Sequence, residues 1–108
     1  MSTLLITVGW FRKGGDEARR HYGAGVVPLI AGAGGAVVSR GRPQETVVGD
    51  AGTRPDLVAV MRFPDAATIR GFLDSHAYRA HEAYRNEAFD YIRSSIADGL
   101  MTQTEENA

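Results

Sequence analysis

The sequence contains no cysteine, and this absence excludes disulfide bonds, thiolate nucleophiles and cysteine metal sites. It also lacks an excess of either charge, since 12 Lys and Arg residues stand against 13 Asp and Glu residues. A balanced charge without a basic run argues against nucleic acid as a partner. No apolar stretch approaches the roughly 20 residues that cross a membrane, and the N-terminus carries no signal-peptide pattern. We therefore expect a cytoplasmic protein without a membrane partner.

The length and composition are those of one small globular domain. The chain has 108 residues, of which 44% are hydrophobic and 23% are charged. This is enough for one hydrophobic core of modest size. We place a single domain at residues 1–100 and a polar C-terminal tail, MTQTEENA, at residues 101–108.

Four segments have the character of extended chain. Thr3–Phe11 is rich in β-branched and aromatic residues and is apolar on both faces, which predicts that both faces are covered. Leu57–Phe63 is a short apolar strand with a proline directly after it. Ala36–Asp50 is either one strand with a bulge or a short hairpin. Tyr91–Ala97 fits either a closing strand or a continued helix.

Two regions show helical spacing. Asp16 is suited to be the N-cap of the first helix, in which apolar residues recur every three or four positions until glycines end it. Pro64 and Asp65 begin the second helix, and Ser75 is suited to cap a further helical segment. The element order predicts an α+β, ferredoxin-like βαββαβ domain with a four-stranded antiparallel sheet and helices on one face. The apolar face left uncovered predicts a homodimer.

Several short motifs resemble those of one bacterial family. They are Val27-Pro28-Leu29-Ile30, Gly34-Gly35, Arg40-Gly41, Val47-Val48-Gly49, Phe63-Pro64, Gly99-Leu100, and Phe72-Leu73-Asp74-Ser75-His76-Ala77-Tyr78 with Arg85 after it. On these residues the chain resembles the family called domain of unknown function 1330, from the first strand to Gly99. The most specific part is Ser75-x-x-Tyr78 with Arg85 farther along the chain.

The resemblance implies a dimeric α/β barrel, in which two ferredoxin-like protomers pack sheet against sheet. It also implies that Tyr91–Ala97 is the last strand. Relatives in this superfamily include cofactor-free monooxygenases, polyketide cyclases, isomerases and haem-degrading enzymes. The fold therefore does not decide the reaction.

Residues 76–85, HAYRAHEAYR, are the main candidate for catalysis. If this segment is one helix, Tyr78, His81 and Arg85 share a face. There His81 can move a proton, Tyr78 can donate a hydrogen bond to a developing oxyanion, and Arg85 can hold an anionic group. The alternative is an ordinary solvent-facing or packing surface, in which Glu82 pairs with neighbouring arginines.

Five further residues are candidates for substrate binding: Trp10, Tyr22, Arg40, Arg62 and His76. Trp10 at a strand end and Tyr22 on the first helix can line one pocket, although their apolar positions favour a place in the core. Arg40 and Arg62 lie in apolar strands, where each needs an acidic partner or an anionic ligand. The phase of His76 with the preceding helix favours packing.

These residues favour an enzyme without a cofactor or a metal. His76 and His81 are five positions apart, which is a poor spacing for two ligands on one helix face. The leading hypothesis is proton-transfer chemistry, a cyclisation or an isomerisation, on an aromatic or polyketide-like small molecule. One alternative is a non-catalytic homodimeric module that binds a ligand or is associated with stress. The other is a cofactor-free monooxygenase.

Overall fold

The computed structural model describes residues 2–50 and 52–99. Its framework is a four-stranded sheet in the order β2-β3-β1-β4, in which every neighbouring pair is antiparallel. The strands are β1 (Thr3–Phe11), β2 (Ala36–Gly41), β3 (Leu57–Phe63) and β4 (Phe89–Asp98). β1 and β3 have the predicted bounds, and the closing segment is a strand, as the resemblance implied.

Four helices connect and cover the strands: α1 (Asp16–Gly32), α2 (Ala66–Asp74), α3 (His76–Arg79) and α4 (Glu82–Ala88). The order of the elements and of the strands confirms the predicted α+β, ferredoxin-like fold. None of the helices in the described ranges combines the length and apolar character that a membrane crossing requires.

The core lies between the helices and one face of the sheet. Because side chains alternate in direction along a strand, Leu5, Met61 and Phe63 all point towards the helices. The main cluster joins these three to the helix residues Val26, Ile30, Ile69, Phe72 and Tyr78. Phe63 and Ile69 are 1% and 0% exposed, and burial of each such side chain contributes about 1.5–3 kcal/mol relative to exposure.

The turn from α1 into β2 depends on two glycines. Gly34 has a φ of 83°, in the left-handed region that glycine adopts at little cost. A Cβ atom on Gly35 would lie 2.7 Å from Cε2 of Phe63, so glycine is needed where the backbone passes this buried ring. The glycine run therefore ends α1, as predicted, and allows β2 to pair with β3.

The side chains that point away from the helices form a second apolar surface, which we call the open face: Leu4, Ile6, Val8, Trp10, Val58 and Val60. The cross-strand pairs Ile6–Val60 and Val8–Val58 form its centre. In the described part of the chain, none of its residues belongs to the two hydrophobic clusters between helices and sheet. The first strand is therefore apolar on both faces, as the sequence predicts.

The start of α1 differs from its prediction. Gly15 is the N-cap residue, and Asp16 is already the first residue of the helix. The Asp16 carboxylate accepts a hydrogen bond from Arg19 and does not cap the helix. The helix begins one residue earlier than a capping Asp16 would require.

The predicted continuation of β2 is also wrong. The strand ends at Gly41, and Thr46 to Val48 forms neither a longer strand nor a hairpin. Gly41 is paired with Val58, one residue from the start of β3, so the sheet edge has no partner left for later residues. Val47 is accordingly 80% exposed.

Ser75 separates α2 from α3 and caps α3, as predicted. Its hydroxyl accepts a hydrogen bond from the Tyr78 amide at 3.1 Å and donates one to the Phe72 carbonyl at 2.7 Å. We expect Ser75→Ala to lower the free energy of unfolding by about 1 kcal/mol, because the first turn of α3 loses its cap. Ser75→Thr keeps a hydroxyl and is the control. Urea unfolding followed by circular dichroism measures the difference, and an unchanged Ser75→Ala variant would contradict the capping role.

Candidate functional site

A cavity of about 640 Å³ lies between α1 and the helix-covered face of the sheet. This volume is within the range of about 300–1,000 Å³ that is usual for small-molecule sites. Its walls are mostly apolar and come chiefly from α1, β3 and β4: Val26, Ile30, Leu57, Met61, Phe89 and Ile92. The cavity is suited to an apolar or aromatic small molecule.

Arg40 lines the cavity because β2 contains a bulge. The pairing of β2 with β3 shifts between Val37 and Ser39. As a result Val37 lies opposite Met61 and Arg40 lies opposite Ala59, both on the helix-covered face. In a regular strand, positions 37 and 40 would point to opposite faces, since the direction alternates at each residue. The bulge therefore brings a predicted substrate contact to the cavity wall.

Tyr22 of α1 is a second predicted substrate contact that lines the cavity. Its hydroxyl lies 2.8 Å from the hydroxyl of Tyr78, and its ring is edge-on to that of Phe89. Arg85 of α4 donates a hydrogen bond from Nη1 to the Tyr78 hydroxyl oxygen at 3.1 Å. We call Tyr22, Tyr78 and Arg85 the tyrosine–arginine network. It joins two predicted catalytic residues to one predicted substrate contact.

One hydrogen bond of this network has a fixed direction. A guanidinium group can only donate, so the Tyr78 oxygen accepts from Arg85. In the bond between the two hydroxyls either oxygen can donate. When Tyr78 donates, the hydroxyl proton of Tyr22 is available to another acceptor.

The protonation states of the network follow from its burial. Burial raises the pKa of Tyr22, the charge interaction and hydrogen bond with Tyr78 raise it further, and Arg85 lowers it in part. The resulting pKa of Tyr22 is far above neutral pH, so this phenol is a neutral donor. Partial burial lowers the pKa of Arg85, but the hydrogen bond to Tyr78 and the neighbouring charges outweigh this and raise it. Arg85 is thus a cation at the end of the network.

His81, the third predicted catalytic residue, is not among the described residues that line the cavity. The expectation of a single helix is wrong here, because α3 ends at Arg79 and α4 begins at Glu82, with His81 in the turn between them. The His81 ring packs against the backbone of α1 at Gly25. Its Nδ1 atom is buried and has no hydrogen-bond partner among the described residues.

Trp10, Arg62 and His76 lie apart from the cavity lining. Trp10 is on the open face, where its Nε1 donates a hydrogen bond to the Thr53 carbonyl at 3.1 Å. The expectation that Trp10 and Tyr22 line one pocket is therefore wrong, because Trp10 is an odd number of positions from the helix-facing residues of β1. Arg62 is exposed on the open face, and His76 is exposed at the start of α3.

The cavity also contains charged residues that the sequence reasoning missed: Asp16, Arg19 and Arg20. The pattern in the sequence that indicates them is helical spacing. At intervals of three or four residues, they continue the face of α1 that carries the lining residues Val26 and Ile30. Asp16 forms an ion pair with Arg19. The described residues include no group of three His, Asp or Glu side chains placed to hold a metal ion.

The sequence profile of the family Domain of unknown function (DUF1330) matches residues 13–100. The chain belongs to this family, which confirms the resemblance of its motifs. No curated protein shows significant sequence similarity to it.

Solved structures share the fold. The RPA0582 protein of unknown function from Rhodopseudomonas palustris has a TM-score of 0.81 at 20% identity, covering 94% of this chain and 84% of that chain. A dimeric protein of unknown function and ferredoxin-like fold from Bacteroides fragilis has a TM-score of 0.64 at 9% identity, covering 90% and 95%. SnoaB, a cofactor-independent oxygenase from Streptomyces nogalater, has a TM-score of 0.63 at 14% identity, covering 94% and 96%. At these identities the likeness establishes the fold alone.

Gly25 and Gly23 of α1 give a matched test of the His81 packing. A Cβ atom on Gly25 would lie 2.7 Å from His81 Nδ1, whereas one on Gly23 would meet nothing within 4 Å. We expect Gly25→Ala to lower the free energy of unfolding by about 1–3 kcal/mol through overpacking. Gly23→Ala should raise it by about 0.5–1 kcal/mol, because alanine loses less entropy in a helix. Urea unfolding measures both, and equal stability of the two variants would contradict the packed position of His81.

Proposed function

We propose that this member of the DUF1330 family is a cofactor-free enzyme that transfers a proton on an aromatic or polyketide-like small molecule. The observation that supports the proposal is an apolar cavity whose lining includes Tyr22, a neutral phenol that the network connects to Tyr78 and Arg85. A cyclisation or isomerisation of such a substrate passes through an enolate, whose oxygen carries negative charge. A hydrogen-bond donor fixed in a largely apolar site stabilises that charge better than water does.

In the proposed mechanism Tyr22 is the catalytic residue, and Tyr78 and Arg85 are positioning residues that act through it. As the proton leaves the carbon beside the carbonyl, the Tyr22 hydroxyl donates to the oxygen that becomes negative. The Arg85 cation strengthens this donor through Tyr78. Asp16 is the one carboxylate among the described lining residues and is our candidate for the proton acceptor. His81 can accept the proton only if its ring leaves its place against α1.

A second candidate function is a non-catalytic module that binds a small ligand. It is favoured by the observation that no histidine is among the described residues lining the cavity. A cofactor-free monooxygenase is the remaining alternative, and its support is the shared fold of SnoaB, a cofactor-independent oxygenase. The three functions differ in what the protein does to a bound aromatic ketone, so one set of measurements separates them.

Exchange of carbon-bound hydrogen for deuterium tests the proposed role of Tyr22. The protein is incubated in D₂O with aromatic methyl ketones such as 2-acetylnaphthalene, and NMR follows the loss of the protons beside the carbonyl. We expect catalysed exchange that Tyr22→Phe slows by about 10²–10³-fold, the usual cost of removing one oxyanion donor. Tyr91→Phe removes a hydroxyl from a 54% exposed ring outside the cavity lining and should leave the rate unchanged.

The other outcomes of this experiment favour the alternatives. Binding of the ketones without catalysed exchange in the wild-type protein would contradict the enzyme and favour the ligand-binding module. Oxygen consumption with a phenolic substrate, measured with an oxygen electrode, would favour the monooxygenase. Equal exchange rates for the wild type and Tyr22→Phe would remove Tyr22 from the mechanism.

We further propose that two copies of the chain pair through the open face. This face is apolar along β1 and β3 and contributes to neither hydrophobic cluster in the described residues. A four-stranded sheet with such a surface gains stability when the surface is covered. The dimeric state of the ferredoxin-like protein from Bacteroides fragilis supports a dimer here.

A charge placed at the centre of the open face tests the homodimer. Val60 is paired with Ile6 on one side and Ser39 on the other. We expect Val60→Lys to produce monomers at micromolar concentration, because an unpaired charge is costly to bury in an interface. Val47→Lys makes the same substitution at an 80% exposed position and should remain dimeric. Sedimentation velocity distinguishes the states, and a monomeric wild type or a dimeric Val60→Lys variant would contradict the proposed interface.

A further inference from the structure

We propose that the ligand of the cavity is an amphipathic oxyanion, with an apolar body and one carboxylate or phosphate group held by Arg20 and Arg40. The inference rests on the small-molecule function proposed above and adds the chemical class of the ligand. The observation that supports it is the excess of positive charge among the described residues that line the cavity.

The cavity has more positive than negative charge. Among the described residues, three arginines and one aspartate line it: Arg19, Arg20, Arg40 and Asp16. Asp16 pairs with Arg19, which leaves Arg20 and Arg40 without an ion-pair partner in the described ranges 2–50 and 52–99. The whole chain has a formal net charge of −1, so the positive excess is a local property of the cavity. Converging cations raise the local concentration of anionic ligands.

The two unpaired cations come from different walls of the cavity. Arg20 belongs to the first part of α1, and Arg40 is the residue before the end of β2. Arg40 lies opposite Ala59, which pairs with Thr7 in the middle of β1. Apolar lining residues lie on both sides of this level, since Met61 pairs with Leu5, and Leu57 and Ile92 pair with Gly9. A bound molecule therefore meets hydrocarbon along most of the sheet and charge from Arg20 and Arg40.

Arginine is suited to an oxyanion because its planar guanidinium donates two parallel hydrogen bonds to a carboxylate or a phosphate. Arg20 comes from the helix layer and Arg40 from the sheet, so an anion bound by both would connect the two walls of the cavity. Both side chains are exposed, and an anion there keeps part of its hydration. We therefore expect each arginine to contribute about tenfold in affinity, as is typical of a charged hydrogen bond.

Three naphthalene compounds of similar size test this inference: 2-naphthoate, 2-naphthyl phosphate and the neutral 2-naphthamide. Calorimetry should show that at least one anion binds the wild-type protein ten times or more tightly than the amide. The better anion identifies the preferred group. Arg40→Gln and Arg20→Gln should each weaken anion binding about tenfold and leave the amide unchanged. Arg40→Lys should retain part of the affinity, because it keeps the charge.

Arg70→Gln is the matched control, since Arg70 is an exposed arginine of α2 that is not among the described lining residues. Equal affinity of the wild type for the amide and both anions would overturn the inference and leave the cavity function intact. Anion binding that neither Arg20→Gln nor Arg40→Gln weakens would also overturn it. If none of the three compounds binds, the proposed small-molecule function is contradicted as well.

Discussion

The alternation of side chains along β1 is the constraint on which the rest of the structure depends. β1 lies between β3 and β4, so it is a central strand of the sheet. Each of its two faces is therefore flanked by side chains of neighbouring strands. Leu5 points into the helix-covered core, while Ile6 and Val8 point to the open face. Because both sets are apolar, both faces of the sheet must be shielded from water. The helices shield one of them. The cavity and the proposed dimer interface therefore lie on opposite faces and use different residues of the same strands.

Tyr78 connects the stability of the fold to the chemistry of the cavity. It is 6% exposed and belongs to the main hydrophobic cluster, so it anchors α3 as any core aromatic residue does. Its buried hydroxyl also needs hydrogen-bond partners, and these come from Arg85 on α4 and Tyr22 on α1. A packing role and a role near the site are thus not exclusive for this residue. The contacts that dock the short helix also hold Tyr22, the one phenol among the described residues that line the cavity.

The sequence predicts the parts of the structure that depend on local composition. The ends of β1 and β3 follow from their short, apolar runs, and the role of Ser75 follows because an N-cap needs a short side chain that accepts a hydrogen bond. The site is harder to predict because its residues meet through pairing and turns. Helical spacing places His81 on a face that the turn before α4 removes, and composition alone does not place Trp10 on the correct side of the sheet.

The bulge in β2 shows how strand pairing determines the direction of a side chain, here Arg40, although no local sequence pattern predicts that pairing. A bulge is a relation between two strands, here the shift in pairing of β2 against β3 between Val37 and Ser39, and the residues of β2 alone do not specify it. Without it, Arg40 would point to the open face, where its charge would oppose the burial of that surface. With it, the same arginine faces the cavity beside Val37. One extra residue in β2 thus moves the charge of Arg40 from the open face to the cavity. The proposed interface and the proposed ligand chemistry therefore both depend on the register of this edge strand.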